Sequence, residues 1–102
     1  MTQQKTQERI NCAAIWYKNL PTAKYLPTNI SQGIVVEGHR HADIIRTVLN
    51  LIGKGCSSES EYGFITDTDR FVNRFEAMGI ARKANQIISN TTFPELYSED
   101  LY

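Results

Sequence analysis

Twice along this chain the spacing of apolar residues switches from that of a strand to that of a helix. Gly33, Ile34, Val35, Val36, Glu37 and Gly38 place three consecutive β-branched residues between glycines that let the backbone bend. From Ala42 onward Ile44, Ile45, Val48, Leu49 and Ile52 recur at helical spacing, and Gly53 with Gly55 supplies the stop. The second switch falls at Asn73, after a short strand over residues 70–72. Asn73 and Glu76 have the spacing of an N-cap and its third helical residue, and Ala77, Ile80, Ala81, Ala84, Ile87 and Ile88 form the buried stripe that follows. Gly79 costs this helix about 1 kcal/mol against alanine and marks a close contact with another backbone.

The remaining strands are expected over residues 9–17, 23–26 and 62–66. Asn19, Leu20, Pro21 and Thr22 turn the chain between the first two of these to give a hairpin. Pro27-Thr28-Asn29 makes another turn, and Asp67-Thr68-Asp69 joins residues 62–66 to 70–72 as a second hairpin. The fold class is therefore α+β, a mainly antiparallel sheet with two α-helices in a single domain. Residues 1–8 are polar and fray, residues 56–61 form a mobile polar connection, and residues 9–102 make one ligand-binding domain. Its tail carries Phe93, Leu96, Tyr97, Leu101 and Tyr102 and docks either on its own sheet or on a neighbouring subunit.

A chain of 102 residues buries roughly two-thirds of its unfolded surface, so a sizeable ligand cavity lies more easily between subunits than within one. Eleven Lys plus Arg balance eleven Asp plus Glu, which gives no reason to expect a nucleic-acid duplex or an anionic membrane as partner. No apolar run approaches the ~20 residues of a membrane span, and the opening MTQQKTQERI lacks a signal-peptide core, so a cytosolic protein is expected. Cys12 and Cys56 stand alone, outside any zinc or disulfide spacing.

His39 and His41 share a face if the chain there is extended, open to a metal, to an anion or base contact, or to a structural hydrogen bond. Arg40, at a strand–helix junction, is either a phosphate ligand or a solvated cation. Arg70 and Arg74 offer a second anion site, with a salt bridge to Asp67 or Asp69 as the alternative. A cation at a helix N-terminus, as at Arg74, opposes the dipole and is easier to understand beside an anion. Trp16, Tyr17, Phe64 and Phe71 are core residues or a stacking face for a base, at most two of them touching a ligand. No serine elbow, P-loop, GxGxxG, HExxH or paired cysteine nucleophile occurs, so binding is favoured over catalysis.

Ala13-Ala14-Ile15-Trp16-Tyr17, the Leu26-Pro27-Thr28-Asn29-Ile30 turn, Gly33-Ile34-Val35-Val36, Gly38-His39-Arg40-His41, Gly63-Phe64-Ile65-Thr66, Asp69-Arg70-Phe71-Val72-Asn73-Arg74 with Glu76-Ala77, and the closing Leu96-Tyr97-Ser98-Glu99-Asp100-Leu101 follow one another in an order with a counterpart. Over most of residues 10–102 the chain resembles the Thoeris anti-defence sponges of the first type, small phage proteins; Glu37 and Phe75 depart from the pattern. The resemblance implies a phage protein of the host bacterial cytoplasm that sequesters cyclic ADP-ribose isomers, chiefly glycocyclic ADP-ribose, without cleaving them. It further implies homodimers with ligand pockets between protomers, some assembling into hexamers that also hold cyclic oligonucleotides of CBASS defence. The ligand-binding residues it implies are Trp16, Tyr17, His39, Arg40, His41, Phe64, Arg70, Phe71, Asn73 and Arg74, with Asn73 a helix cap first and a ligand contact second. No catalytic residue, metal, cofactor or membrane partner is expected. The rivals are a small cyclic-nucleotide phosphodiesterase using His39 and His41, and a protein–protein inhibitor of a bacterial defence factor that docks through the aromatic tail.

Overall fold

The computed structural model describes residues 7–52 and 59–102. Residues 1–6 of the fraying segment, Gly53, Gly55 and the first half of the 56–61 connection, Cys56 included, lie outside the described residues, while Ser60 and Glu61 at its other end belong to a strand instead of the connection.

Strand β1 (Ile10–Tyr17) is the spine of a four-stranded sheet whose neighbours are all antiparallel. It lies between β2 (Ile34–Gly38) and β3 (Ser60–Thr66), and β4 (Phe71–Asn73) pairs with the outer edge of β3. Period-two alternation divides the sheet into two faces. Ala13, Ile15, Tyr17, Phe64 and Val72 turn to the side covered by α1 (His41–Ile52) and α2 (Arg74–Lys83), where Ile44, Val48, Ala77, Met78 and Ala81 complete the main core. Ala14, Ile65 and Phe71 face the other way, joined by Cys12, Trp16, Ile30 and Val35 in a smaller cluster. The single domain with a mainly antiparallel sheet and two helices is the architecture the sequence predicts.

One row of the sheet explains where the helices start. Gly38, Ala13, Phe64 and Val72 are register partners across all four strands. β2 and β4 run in opposite directions, yet β2 ends on this row and β4 one residue beyond it. α1 and α2 therefore leave opposite edges of the sheet at the same level, which sets Arg40 and Arg74 on either side of whatever crosses between them.

What crosses is the tail. Of the two docking alternatives, the tail takes its own domain: Leu96 is fully buried in the main core, and its N–H donates to the Arg74 carbonyl at 3.0 Å. Asp100 closes the turn Ser98–Asp100 by accepting from the Tyr97 N–H at 3.0 Å and from the Ser89 hydroxyl at 2.7 Å.

Three local expectations are corrected. Residues 23–26 form no strand, because both edges of β1 are taken by β2 and β3, and Tyr25 stands in solvent. The loop is pinned instead by Asn29, whose side-chain amide accepts from the Phe71 N–H at 2.8 Å and donates to the Phe71 carbonyl at 2.7 Å, satisfying the free edge of β4. The second helix stops at Lys83, short of Ile87 and Ile88. Asn85 adopts a φ of 59°, and the bonds Asn85 N–H to Arg82 O and Gln86 N–H to Ala81 O complete a Schellman cap. Ile87 still packs against the core, but Ile88 is exposed. Finally, no backbone approaches Gly79; a Cβ there would meet open space. The Asn73–Glu76 capping box is present as predicted, with Glu76 N–H to Asn73 Oδ1 at 2.9 Å and Asn73 N–H to Glu76 Oε1 at 3.4 Å.

Candidate functional site

The two histidines part company because the helix begins at His41, so the extended spacing that would align them is broken. His41 is buried, stacked on Tyr62 (5.6 Å, 20°) and edge-on to Phe64 (5.1 Å). Its Nε2 lies 2.8 Å from the Gly63 carbonyl, which can only accept, so Nε2 carries the hydrogen and is no metal donor. Burial pushes the His41 pKa below its ordinary value and keeps the ring neutral at pH 7. His39 is exposed and stacked on Tyr102 at 4.2 Å, and the Tyr102 hydroxyl donates to the His39 carbonyl at 2.7 Å. Among the described residues no group of three His, Cys, Asp or Glu is placed to hold a metal ion.

Each arginine has a different fate. Arg40 is tied to the tail: it donates to the Ser98 hydroxyl at 3.3 Å and to the Tyr102 carbonyl, lies 5.2 Å over the Tyr102 ring, and stands 3.9 Å from the Glu99 carboxylate. Arg70 grips Glu8 with both prongs, Nε to Oε2 at 3.0 Å and Nη2 to Oε1 at 2.9 Å, while the Thr68 hydroxyl also donates to Glu8. These bonds lower the Glu8 pKa from 4.5 to about 2. Because the folded value lies below the unfolded one, the pair's contribution to stability is complete above pH 4.5 and is lost as pH falls toward 2. A carboxyl NMR titration is expected to give Glu8 a midpoint near 2, moving up toward 4.5 in Arg70→Gln. A wild-type midpoint already near 4.5 would mean the pair does not form in solution.

Arg74 is held by aromatic faces instead of acids. Its guanidinium lies 5.1 Å from the Tyr62 ring and 4.6 Å from the Tyr97 ring, at the first position of α2. Two cation–π contacts of about 0.5–1 kcal/mol each offset the roughly 0.3–1 kcal/mol by which the helix dipole opposes a cation there. The position of the charge is thus explained by Tyr62 and Tyr97. What they leave unexplained is Arg74 Nε, a buried donor without a hydrogen-bond partner.

Arg74 borders an open cleft of about 360 Å³, at the small end of ligand-sized sites. Tyr62 and Phe75 supply its aromatic surface, Asn73 and Arg74 its donors, and Ser60, Glu61 and Glu95 its acceptors. Phe75 is 58% exposed, a large apolar ring standing in water on the wall of this cleft. A hollow of about 220 Å³ between Arg82, Asn85 and Ile87 offers no such aromatic face.

Of the residues expected from sequence, the fold gathers Asn73 and Arg74 at this cleft, with His41 and Phe64 behind Tyr62. Tyr17 and Phe64 are core on the helix side. Trp16 and Phe71 meet edge-on at 6.0 Å on the opposite face, where the Trp16 indole N–H donates to the Gln32 carbonyl at 2.9 Å and the Lys18 ammonium sits 4.6 Å over the ring. Tyr62, Phe75, Glu95 and Tyr97 complete the cleft and its arginine without having been singled out as ligand contacts. Tyr62 carries the one available signal, since in a strand it shares the face of Phe64.

The profile of a family described as phage T4 y16D protein matches residues 9–102. The chain belongs to that family. No curated protein and no solved structure matches it. The matched span takes in every element of this y16D-family chain, from the central strand through the docked tail, and with them the whole cleft around Arg74.

Proposed function

We propose that this phage-family protein binds and sequesters a cyclic ADP-ribose isomer, such as glycocyclic ADP-ribose, without cleaving it, and so blunts Thoeris signalling in the host cytoplasm. Cyclic oligonucleotides of CBASS defence share the required chemistry and are a second ligand class. The observation that carries the reading is Arg74: a guanidinium over the Tyr62 and Tyr97 rings at a helix N-terminus, its buried Nε unpaired, in a cleft that the exposed ring of Phe75 also lines. A pyrophosphate suits the cation and the helix N-terminus, and a purine suits Phe75. The cleft is open, so a second protomer is the natural source of the missing wall. Sequestration is favoured over hydrolysis because the proton on His41 Nε2 is committed to Gly63 and His39 is stacked under Tyr102.

Native mass spectrometry of the full chain with a panel of cyclic nucleotides tests both ligand and stoichiometry. The expected result is a dimer or higher oligomer carrying a cyclic ADP-ribose isomer, released intact on heating. Recovery of a hydrolysed product would replace the sponge with an enzyme, and no bound nucleotide across the panel would sink the reading.

A further inference from the structure

We infer that Glu95 decides which anions the cleft around Arg74 accepts, by taking a hydrogen bond from the ligand. The ligand class is then a nucleoside diphosphate that carries free N–H or O–H donors as well as its pyrophosphate, and a bare polyanion is rejected. This rests on the nucleotide-binding reading of the same cleft and adds to it the basis of selection.

The argument is one of charge and partners. Three charged side chains line the cleft: Arg74, Glu61 and Glu95. Glu61 is already engaged by the Lys18 ammonium at 3.2 Å, so its charge is largely offset. Glu95 is half-buried, yet its carboxylate has no hydrogen bond or ion pair among the described residues. Its backbone is fixed, because the next residue, Leu96, is fully buried and bonded through its N–H to the carbonyl of Arg74. The cleft is therefore lined by one cation whose buried Nε lacks a partner, Arg74, and by one carboxylate without a protein partner among the described residues, Glu95, anchored to the same backbone bond. Inorganic pyrophosphate approaching Arg74 meets repulsion from Glu95 and gives it nothing. A ribose hydroxyl or an adenine amine turns that repulsion into a charge-assisted hydrogen bond, about twice as strong as a neutral one.

Calorimetric titration of wild type and Glu95→Gln with cyclic ADP-ribose and with inorganic pyrophosphate tests this. Glu95 has no partner to lose, so the variant is expected to melt with wild type, and circular dichroism checks that it folds. Glu95→Gln is expected to weaken cyclic ADP-ribose by about tenfold and to strengthen pyrophosphate by a similar factor, a shift in selectivity of about a hundredfold. A matching titration with the inosine counterpart, which lacks the exocyclic amine, separates the donors: undiminished wild-type binding assigns the bond to the ribose, and a tenfold loss assigns it to the base. If both ligands bind the variant more tightly, Glu95 is only a repulsive charge and the inference fails while the nucleotide site stands. If wild type binds neither ligand, the site and the inference fall together.

Discussion

Gly63→Ala is expected to remove a large part of the folding stability, whereas Gly79→Ala is expected to raise it. A Cβ on Gly63 would lie 2.1 Å from the Val72 carbonyl oxygen and 2.8 Å from Phe71 Cζ. The oxygen is backbone of the paired edge strand, so relief requires β3 and β4 to separate at a register partner, Asn73, which is also the N-cap of α2. The Gly63 carbonyl additionally accepts the His41 imidazole bond that seats the start of α1. A loss of about 3 kcal/mol or more follows from overpacking at such a site, a large part of the ~5–15 kcal/mol that holds a domain together. Gly79 sits within α2 with nothing near its missing Cβ, so alanine gains the roughly 1 kcal/mol difference in helix propensity, about 4–8 °C in Tm for a domain of this size. Denaturant and thermal unfolding of the two variants give the comparison. Equal effects at the two glycines would contradict the packing described here.

The fold was legible wherever local physics decides it. The Asn73–Glu76 box, the β-branched run from Ile34 to Val36, and the turn at Asp67-Thr68-Asp69, where Asp69 takes a φ of 61°, all depend on neighbours within a few residues. Residues 23–26 misled because four residues between two prolines carry little periodic information, and because the partners of β1 are chosen over long range. The end of α2 misled for a different reason. Ile87 and Ile88 continue the apolar stripe, but Asn85 in the left-handed region stops the helix first, and asparagine near a helix end was a readable signal for that.

The candidate site was legible in part. Arg74 drew notice as a cation at a helix N-terminus, and that oddity does lead to the cleft. Its partners did not show, since Tyr62 and Tyr97 lie on β3 and on the tail, and spacing along the chain says nothing about where a tail docks. Arg70 and Arg40 make the same point, because each is satisfied by a residue 62 positions away, Glu8 in one case and Tyr102 in the other. The anion-friendly junction at His39-Arg40-His41 is occupied from within the chain, by the tail and by Gly63. That shifts the weight of any ligand site to the second helix.

Arg74→Ala is accordingly expected to abolish most ligand affinity at a modest cost in stability. Removing the guanidinium forfeits two cation–π contacts of about 0.5–1 kcal/mol each but relieves about 0.3–1 kcal/mol of opposition from the helix dipole, so the net loss in folding falls between about 0 and 1.7 kcal/mol. The loss of binding is larger, because a charge-assisted hydrogen bond to a desolvated phosphate is worth about 1.5–3 kcal/mol, or roughly 10- to 100-fold in Kd. Arg74→Lys separates charge from geometry. Lysine keeps the cation over Tyr62 and Tyr97 but lacks the Nε–H, the donor that the folded chain leaves buried and unpaired. If that donor is what the ligand satisfies, lysine recovers stability without recovering affinity, as read by thermal melts beside calorimetric titration with glycocyclic ADP-ribose. Full rescue of binding by lysine would reduce Arg74 to a point charge. Wild-type affinity in Arg74→Ala would remove the cleft from consideration as the nucleotide site.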